Sequence, residues 1–292
     1  MKNDNLVKIT ECPRDAMQGI IPFIPTEMKV EYINTLLKVG FDIIDFGSFV
    51  SPKAIPQLMD TAEVVKKLDL SGSSTKLLAI IGNTKGAQNA APFEEITYLG
   101  FPFSLSPTFL QLNIKSDIDK ALHTIEDIQN LCVNNKKELL VYLSMVFDNP
   151  YGDIVSFETV NETVEYIRNL GVKKISLADT VGIGKPEKIR EIFSILIPEF
   201  PEIEFGFHLH ASNDSWRDKV DAAYKAGCRQ FDAVILGLGG CPMSAKELVG
   251  NLKTEDLVYY LEKNNISHNL NLGKLNNSTK KAVEVFNQYS FH

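Results

Sequence analysis

Cysteine is scarce in this chain. Only Cys12, Cys132, Cys228 and Cys241 occur among 292 residues, and none lies in a CxxC spacing. That argues against a disulfide-stapled secreted scaffold and against a zinc-finger module. Free thiols suit a reducing compartment, and the cytoplasm is the expected location. No apolar run is long enough to cross a bilayer. The opening residues, MKNDNLVKIT, lack the apolar core of a signal peptide. No membrane partner is therefore expected. Positive charge is not in excess: Lys plus Arg is 30, Asp plus Glu is 37, and the net charge is −7. This balance disfavours a general nucleic-acid binder, while a few local cations would suffice for an anionic small substrate. A Gly-rich phosphate turn after an early strand is also missing, which argues against a doubly wound nucleotide-binding sheet. There is no Pro/Gly/Ser-rich linker, so residues 1–292 are expected to form one domain.

What is present is regular. Apolar, strand-like runs fall at 7–12, 41–46, 76–81, 95–101, 138–147, 173–179, 204–210 and 230–240. Helical periodicity separates many of them, at 27–39, 117–132, 157–170, 186–196 and about 214–225. Gly40, Gly171 and Gly227 stand where helices should end, and Pro186 suits a first helical turn. Near-continuous apolar strands fit a parallel sheet buried on both faces. Eight such strands in a chain of this length predict an α/β fold, a (β/α)8 TIM barrel. Two further helices, at 254–264 and 274–289, are expected as a C-terminal extension over roughly 254–292. They would cover the barrel or build a homodimer contact.

Barrel enzymes carry their chemistry at the C-terminal ends of the strands. The seventh run, EFGFHLH, ends there with His208 and His210, two of only five histidines. Alternate side chains of a strand share a face, so both imidazoles can aim at one point. Other polar residues fall at the same rim: Arg14 and Asp15 after the first strand, Asp45 and Ser48 at the second, Asp179 and Thr180 at the sixth. Gly239, Gly240, Cys241 and then Asn251 follow the eighth. Asp15, His208, His210 and Asn251 would make a mixed oxygen and nitrogen ligand set. Such a set suits Mg²⁺ or Mn²⁺, with the imidazoles favouring Mn²⁺, Zn²⁺ or another transition ion. Each residue also has an ordinary use: Asp15 as a partner of Arg14, Asn251 as a turn residue after Gly250, Cys241 as a small buried thiol. Arg14 either holds a substrate oxygen or makes a rim ion pair. Trp216, the single tryptophan, reads as packing.

The rim residues, in this order, resemble the HMG-CoA lyase family of metal-dependent barrel lyases. The resemblance is carried by Pro13-Arg14-Asp15, by SFVSPK at 48–53, by LADTVG at 177–182, by His208-Leu209-His210, by GLGGCP at 237–242 and by GNL at 250–252 with TEDLV at 254–258. It spans roughly residues 7–265. It implies cleavage of 3-hydroxy-3-methylglutaryl-CoA to acetyl-CoA and acetoacetate, as in leucine or ketone-body metabolism. The implied cofactor is Mg²⁺ or Mn²⁺ on Asp15, His208, His210 and Asn251. Arg14, Asp45, Asp179 and Cys241 become the expected catalytic groups. Gln18, Ser48 and Thr180 become the expected substrate contacts, and an acyl-CoA the expected partner. The chain departs from the family's pattern at Asp45, where a glutamate is usual, and in the loops at 16–21, 104–107, 147–152 and 243–250. These departures keep open a related lyase or condensing enzyme acting on another 3-hydroxy acyl-CoA or a 2-oxo acid. A barrel that binds a metabolite without catalysis is the remaining alternative.

Overall fold

The computed structural model describes residues 5–211, 215–240 and 249–289. Eight parallel strands close into a barrel. They are β1 (Leu6–Glu11), β2 (Ile43–Ser48), β3 (Lys76–Ile80), β4 (Ile96–Ser104), β5 (Glu138–Ser144), β6 (Lys174–Asp179), β7 (Glu204–Leu209) and β8 (Gln230–Ala233). Closure comes from β1, which pairs with β8 through Lys8 to Glu11 and with β2 through Thr10 and Glu11. A two-residue β9 (Ser267–His268) adds to the start of β1.

Local sequence sets the helices between these strands. Ser106, Asp117 and Ser156 each accept a backbone N–H three residues on and so start helices Pro107–Ile114, Ile118–Asn134 and Phe157–Asn169. In Ile118–Asn134 the buried residues Ala121, Ile125, Ile128 and Cys132 recur at three- and four-residue spacing, which is one helical face. The helices Pro13–Gln18, Thr61–Lys67, Thr84–Ala90 and Pro107–Ile114 are too short to leave a periodic signal. Of the two C-terminal helices, Thr254–Lys263 is the eighth outer helix of the barrel, because it follows β8 directly. Only Leu272–Tyr289 is an addition. It packs on Thr26–Leu36, with the Tyr32 and Phe286 rings edge to face at 5.8 Å. No described helix is long and apolar enough to cross a membrane.

Two strands end earlier than their apolar runs. β5 stops at Ser144 because Met145 takes φ +62° and donates its N–H to the Thr180 hydroxyl at 3.2 Å. β8 stops at Ala233, and Ile235–Gly237 forms a tight turn with Leu236 at φ +66°. Glu11, fully buried on β1, accepts the Ile235 N–H at 2.8 Å and the Thr254 hydroxyl at 2.5 Å. Burial pushes its carboxyl up to about 8. The loop after β8 is thus directed by side chains from elsewhere in the chain.

The barrel has two apolar layers. Ile43, Leu78, Tyr98, Leu140 and Tyr142 fill the interior. The larger core lies between strands and helices. There Phe207 meets Phe147, Phe193 and Phe231 with ring centroids 5.5, 5.6 and 6.3 Å away, all edge to face. Phe207 is fully buried and immediately precedes His208. Its truncation, Phe207→Ala, should cost about 3–5 kcal/mol. Urea unfolding should show this as a midpoint shifted to lower denaturant.

Candidate active site

β7 places alternate residues on opposite faces. Phe205, Phe207 and Leu209 enter the outer core. His208 and His210 point to the C-terminal mouth, their ring centroids 5.0 Å apart. The Nδ1–H of His208 donates to Asp232 on β8 at 3.1 Å, and its ring stands edge-on to Tyr142 at 5.7 Å. That fixes the tautomer and turns Nε2 toward the mouth. The Nε2 atoms of His208 and His210 lie 3.0 Å apart. Two imidazole lone pairs at that distance repel unless a proton or a cation lies between them. For His208, burial opposes the charged form, but the hydrogen bond and charge of Asp232, with Asp15, raise its pKa. Burial and the neighbouring His208 push His210 down to about 4.

The short helix Pro13–Gln18 follows β1 and brings Arg14 and Asp15 to the same point. An oxygen of Asp15 lies 3.8 Å from His208 Nε2. The ligating atoms of Asp15, His208 and His210 all fall within 4.8 Å of one another. Burial would raise the Asp15 carboxyl, but Arg14, both histidines and a hydrogen bond from Asn251 hold it below the usual range. Asn251 pairs with His210 in an antiparallel bridge, and its amide donates to the Leu238 carbonyl at 2.8 Å. Asp15, His208 and His210 therefore converge, with Asn251 hydrogen-bonded to Asp15 beside them. Two imidazoles, a carboxylate and an amide match the donor chemistry of a divalent cation, and the facing Nε2 atoms fit a shared positive charge.

Arg14 binds both carboxylates. Its Nε and Nη2 donate to Asp45 Oδ2 at 2.9 and 2.6 Å, and Nη1 lies 3.3 Å from Asp15. Nη1 also donates to the Gln18 side-chain oxygen at 2.8 Å, and the Gln18 amide donates to Asp15. Asp45 is fully buried, and burial pushes its carboxyl up to about 6 in spite of Arg14. Among the described residues its second oxygen has no partner, nor has the buried Tyr142 hydroxyl.

Other expected site residues are committed elsewhere. β6 sets Ala178 level with His208 and turns Asp179 to the outside. There one oxygen of Asp179 meets Lys219 at 2.7 Å and the other accepts the Gly184 N–H at 3.1 Å. With both oxygens engaged, Asp179 shapes the loop after β6 and is not presented to the mouth. The Thr180 hydroxyl is occupied by the Met145 N–H, and Ser48 donates to the Ile80 carbonyl at 3.1 Å while accepting the Val50 N–H. Both are loop anchors in this structure. Cys241 lies outside the described residues. Asp232, which orients His208, is not among the residues expected at the site. Its signal was a carboxylate inside an apolar strand, two positions after Gln230 on the same face.

Gly239 closes the site from the β8 side. It sits at φ +85°, and a Cβ there would come within 2.3 Å of the Asp15 carbonyl oxygen. Only glycine allows that approach. Gly239→Ala should push the loop off Asp15 and weaken divalent-metal binding about 10–100-fold, measured by isothermal titration calorimetry.

The chain is similar to known proteins along most of its length. The HMGL-like family model matches residues 7–282. The hydroxymethylglutaryl-CoA lyase YngG of Bacillus subtilis is 33% identical over 272 residues, covering 93% of this chain and 90% of the relative. The mitochondrial hydroxymethylglutaryl-CoA lyase of Bos taurus is 34% identical over 273 residues, covering 92% and 82%. Among solved structures, an HMG-CoA lyase from Acinetobacter baumannii in complex with coenzyme A and 3-methylmalate superposes with TM-score 0.90 at 30% identity, covering 98% of this chain and 93% of that one.

Proposed function

This chain belongs to the HMGL-like family, and from that membership and the geometry of the site we propose that it is a divalent-metal-dependent carbon–carbon lyase. Its proposed reaction is cleavage of 3-hydroxy-3-methylglutaryl-CoA to acetyl-CoA and acetoacetate. The observation that carries the reading is the convergence of Asp15, His208 and His210 within 4.8 Å, beside the Arg14–Asp45 pair.

Asp15, His208, His210 and Asn251 would hold the metal, with Mg²⁺ or Mn²⁺ the proposed ion. When bound, it would acidify the substrate's tertiary hydroxyl and align the hydroxyl and carboxylate oxygens. The remaining roles fall to the protein. Asp45 is the proposed base: among the described residues one of its oxygens has no partner, and burial raises its carboxyl to about 6, close to the range where a base is effective. It takes the hydroxyl proton as the bond between the hydroxyl-bearing carbon and the carbon beside the thioester breaks. The hydroxyl carbon becomes the ketone of acetoacetate. The electron pair passes to the thioester enolate, whose oxygen Arg14 is placed to stabilise, being fixed by Asp45 and Gln18. Protonation of the enolate carbon gives acetyl-CoA, and Cys241 is the proposed donor from its resemblance to the family. Gln18 is a positioning residue for Arg14 and Asp15. Asp179, Ser48 and Thr180 act through the loops they anchor. A homodimer is the proposed assembly.

Removing metal with a chelator should abolish acetyl-CoA production from HMG-CoA, and Mg²⁺ or Mn²⁺ should restore it. His208→Ala should lose both metal binding and turnover while keeping its circular dichroism spectrum. Mass-spectrometric product analysis with metal-loaded protein is the check, and intact HMG-CoA would reject this substrate.

Asp45→Asn should lower kcat about 10²–10⁴-fold. Because the base must be ionised, kcat/KM of the wild type should fall as pH drops below about 6, the value to which burial raises Asp45. A pH profile without that acidic limb would remove Asp45 from the role.

A further inference from the structure

The proposed chemistry occupies the C-terminal mouth of the barrel. Among the described residues the opposite mouth is left open. A cavity of about 510 Å³ opens at the strand starts. That volume is in the range of small-molecule sites. Its walls bring together Lys8 from β1, Asp42 just before β2, Lys76 from β3, Lys174 from β6 and Glu204 from β7.

The charges there are unequally matched. Glu204 is shared: one oxygen lies 2.9 Å from Lys8 and the other 2.7 Å from Lys174. Asp42 is already engaged, accepting the Ile9 N–H at 2.9 Å and the Asn269 amide at 3.1 Å. Burial raises its pKa, which further weakens it as a counter-charge. The Lys76 ammonium has no ion-pair or hydrogen-bond partner among the described residues. Lys174 is mostly buried, with its ammonium 5.3 Å from the centre of the Tyr98 ring. Three ammonium groups face two wall carboxylates, one of them already engaged by Ile9 and Asn269, while Glu138 stands near Tyr98 at the rim. A concave wall also focuses the positive potential of these groups.

A second observation places the same walls next to an unsatisfied interior. Lys174, Glu204 and Gln230 also line a narrow space that continues to Ser176 and Asp232. The Ser176 hydroxyl is buried without a partner among the described residues. Asp232 is the residue that orients His208. The mouth therefore adjoins, through one polar wall, the group that supports the proposed metal ligands.

We propose that the N-terminal mouth is a second binding site, for a small, multiply charged oxyanion held by Lys8, Lys76 and Lys174. Carboxylates and tetrahedral oxyanions share this chemistry. Titration calorimetry at low ionic strength, on the metal-loaded protein, separates them with tricarballylate in one arm and sulfate in the other. Saturable binding of either anion is expected, and the tighter arm identifies the class. Lys76→Gln removes a charge that makes no ion pair or hydrogen bond among the described residues, so folding and lyase turnover without added anion should be unchanged. Binding should weaken about tenfold in Lys76→Gln and be retained in Lys76→Arg. Anion bound instead at Arg14 would not respond to Lys76. Failure of both anions to bind, or equal affinity in wild type and Lys76→Gln, would overturn the proposal while leaving the lyase reading intact.

Discussion

Closure of β1 between β8 and β2 is the constraint on which the site depends. Asp15 and His208 are almost 200 residues apart in the chain, and a parallel closed barrel delivers both to one mouth because every strand ends on the same side. Within that mouth the critical contact is the 3.0 Å approach of two imidazole nitrogens. The two lone pairs repel unless a proton or a cation lies between them, and the approach is maintained by Asp232 on one ring and by the Asn251 bridge beside the other. Under the proposed function, a cation would meet donor atoms already arranged.

Around this pair, one arginine separates the behaviour of two buried carboxylates. Asp15 lies among Arg14, two histidines and the Asn251 amide, and is held in its charged form. Asp45 meets the same arginine, but burial and the neighbouring carboxylates Asp15 and Asp232 favour its neutral form. Similar side chains thereby acquire opposite protonation tendencies, which under the proposed function suit one to ligation and the other to moving a proton. A further tier stands behind them. Glu11 fixes the turn after β8, Gly239 lets that turn press on Asp15, and Asp179 with Lys219 fixes the neighbouring loop.

The barrel is also asymmetric from end to end. An apolar girdle of Ile43, Leu78, Tyr98, Leu140 and Tyr142 fills its middle, with charged groups at both mouths. On the side formed by β6, β7 and β8 the interior is polar instead, through Ser176, Gln230 and Asp232. Gly206 contributes no side chain there, and this is where the narrow interior space lies.

Much of this was legible in the chain itself. Alternation of strand and helix determined the barrel, because apolar runs of strand length separated by helical periods have few other ways to bury both faces. The two-residue spacing of His208 and His210 determined that they face one way. Other features had no local signature. Asp179 reads like a rim carboxylate, yet its partner Lys219 lies 40 residues on and turns it outward. β8 reads as a long strand, yet Glu11 and Glu255 take up N–H groups of the turn that ends it. Asp232 and the three-lysine mouth were equally hidden. Sequence sets period and composition, which are local. Which oxygen meets which nitrogen depends on strands that become neighbours only when the barrel closes.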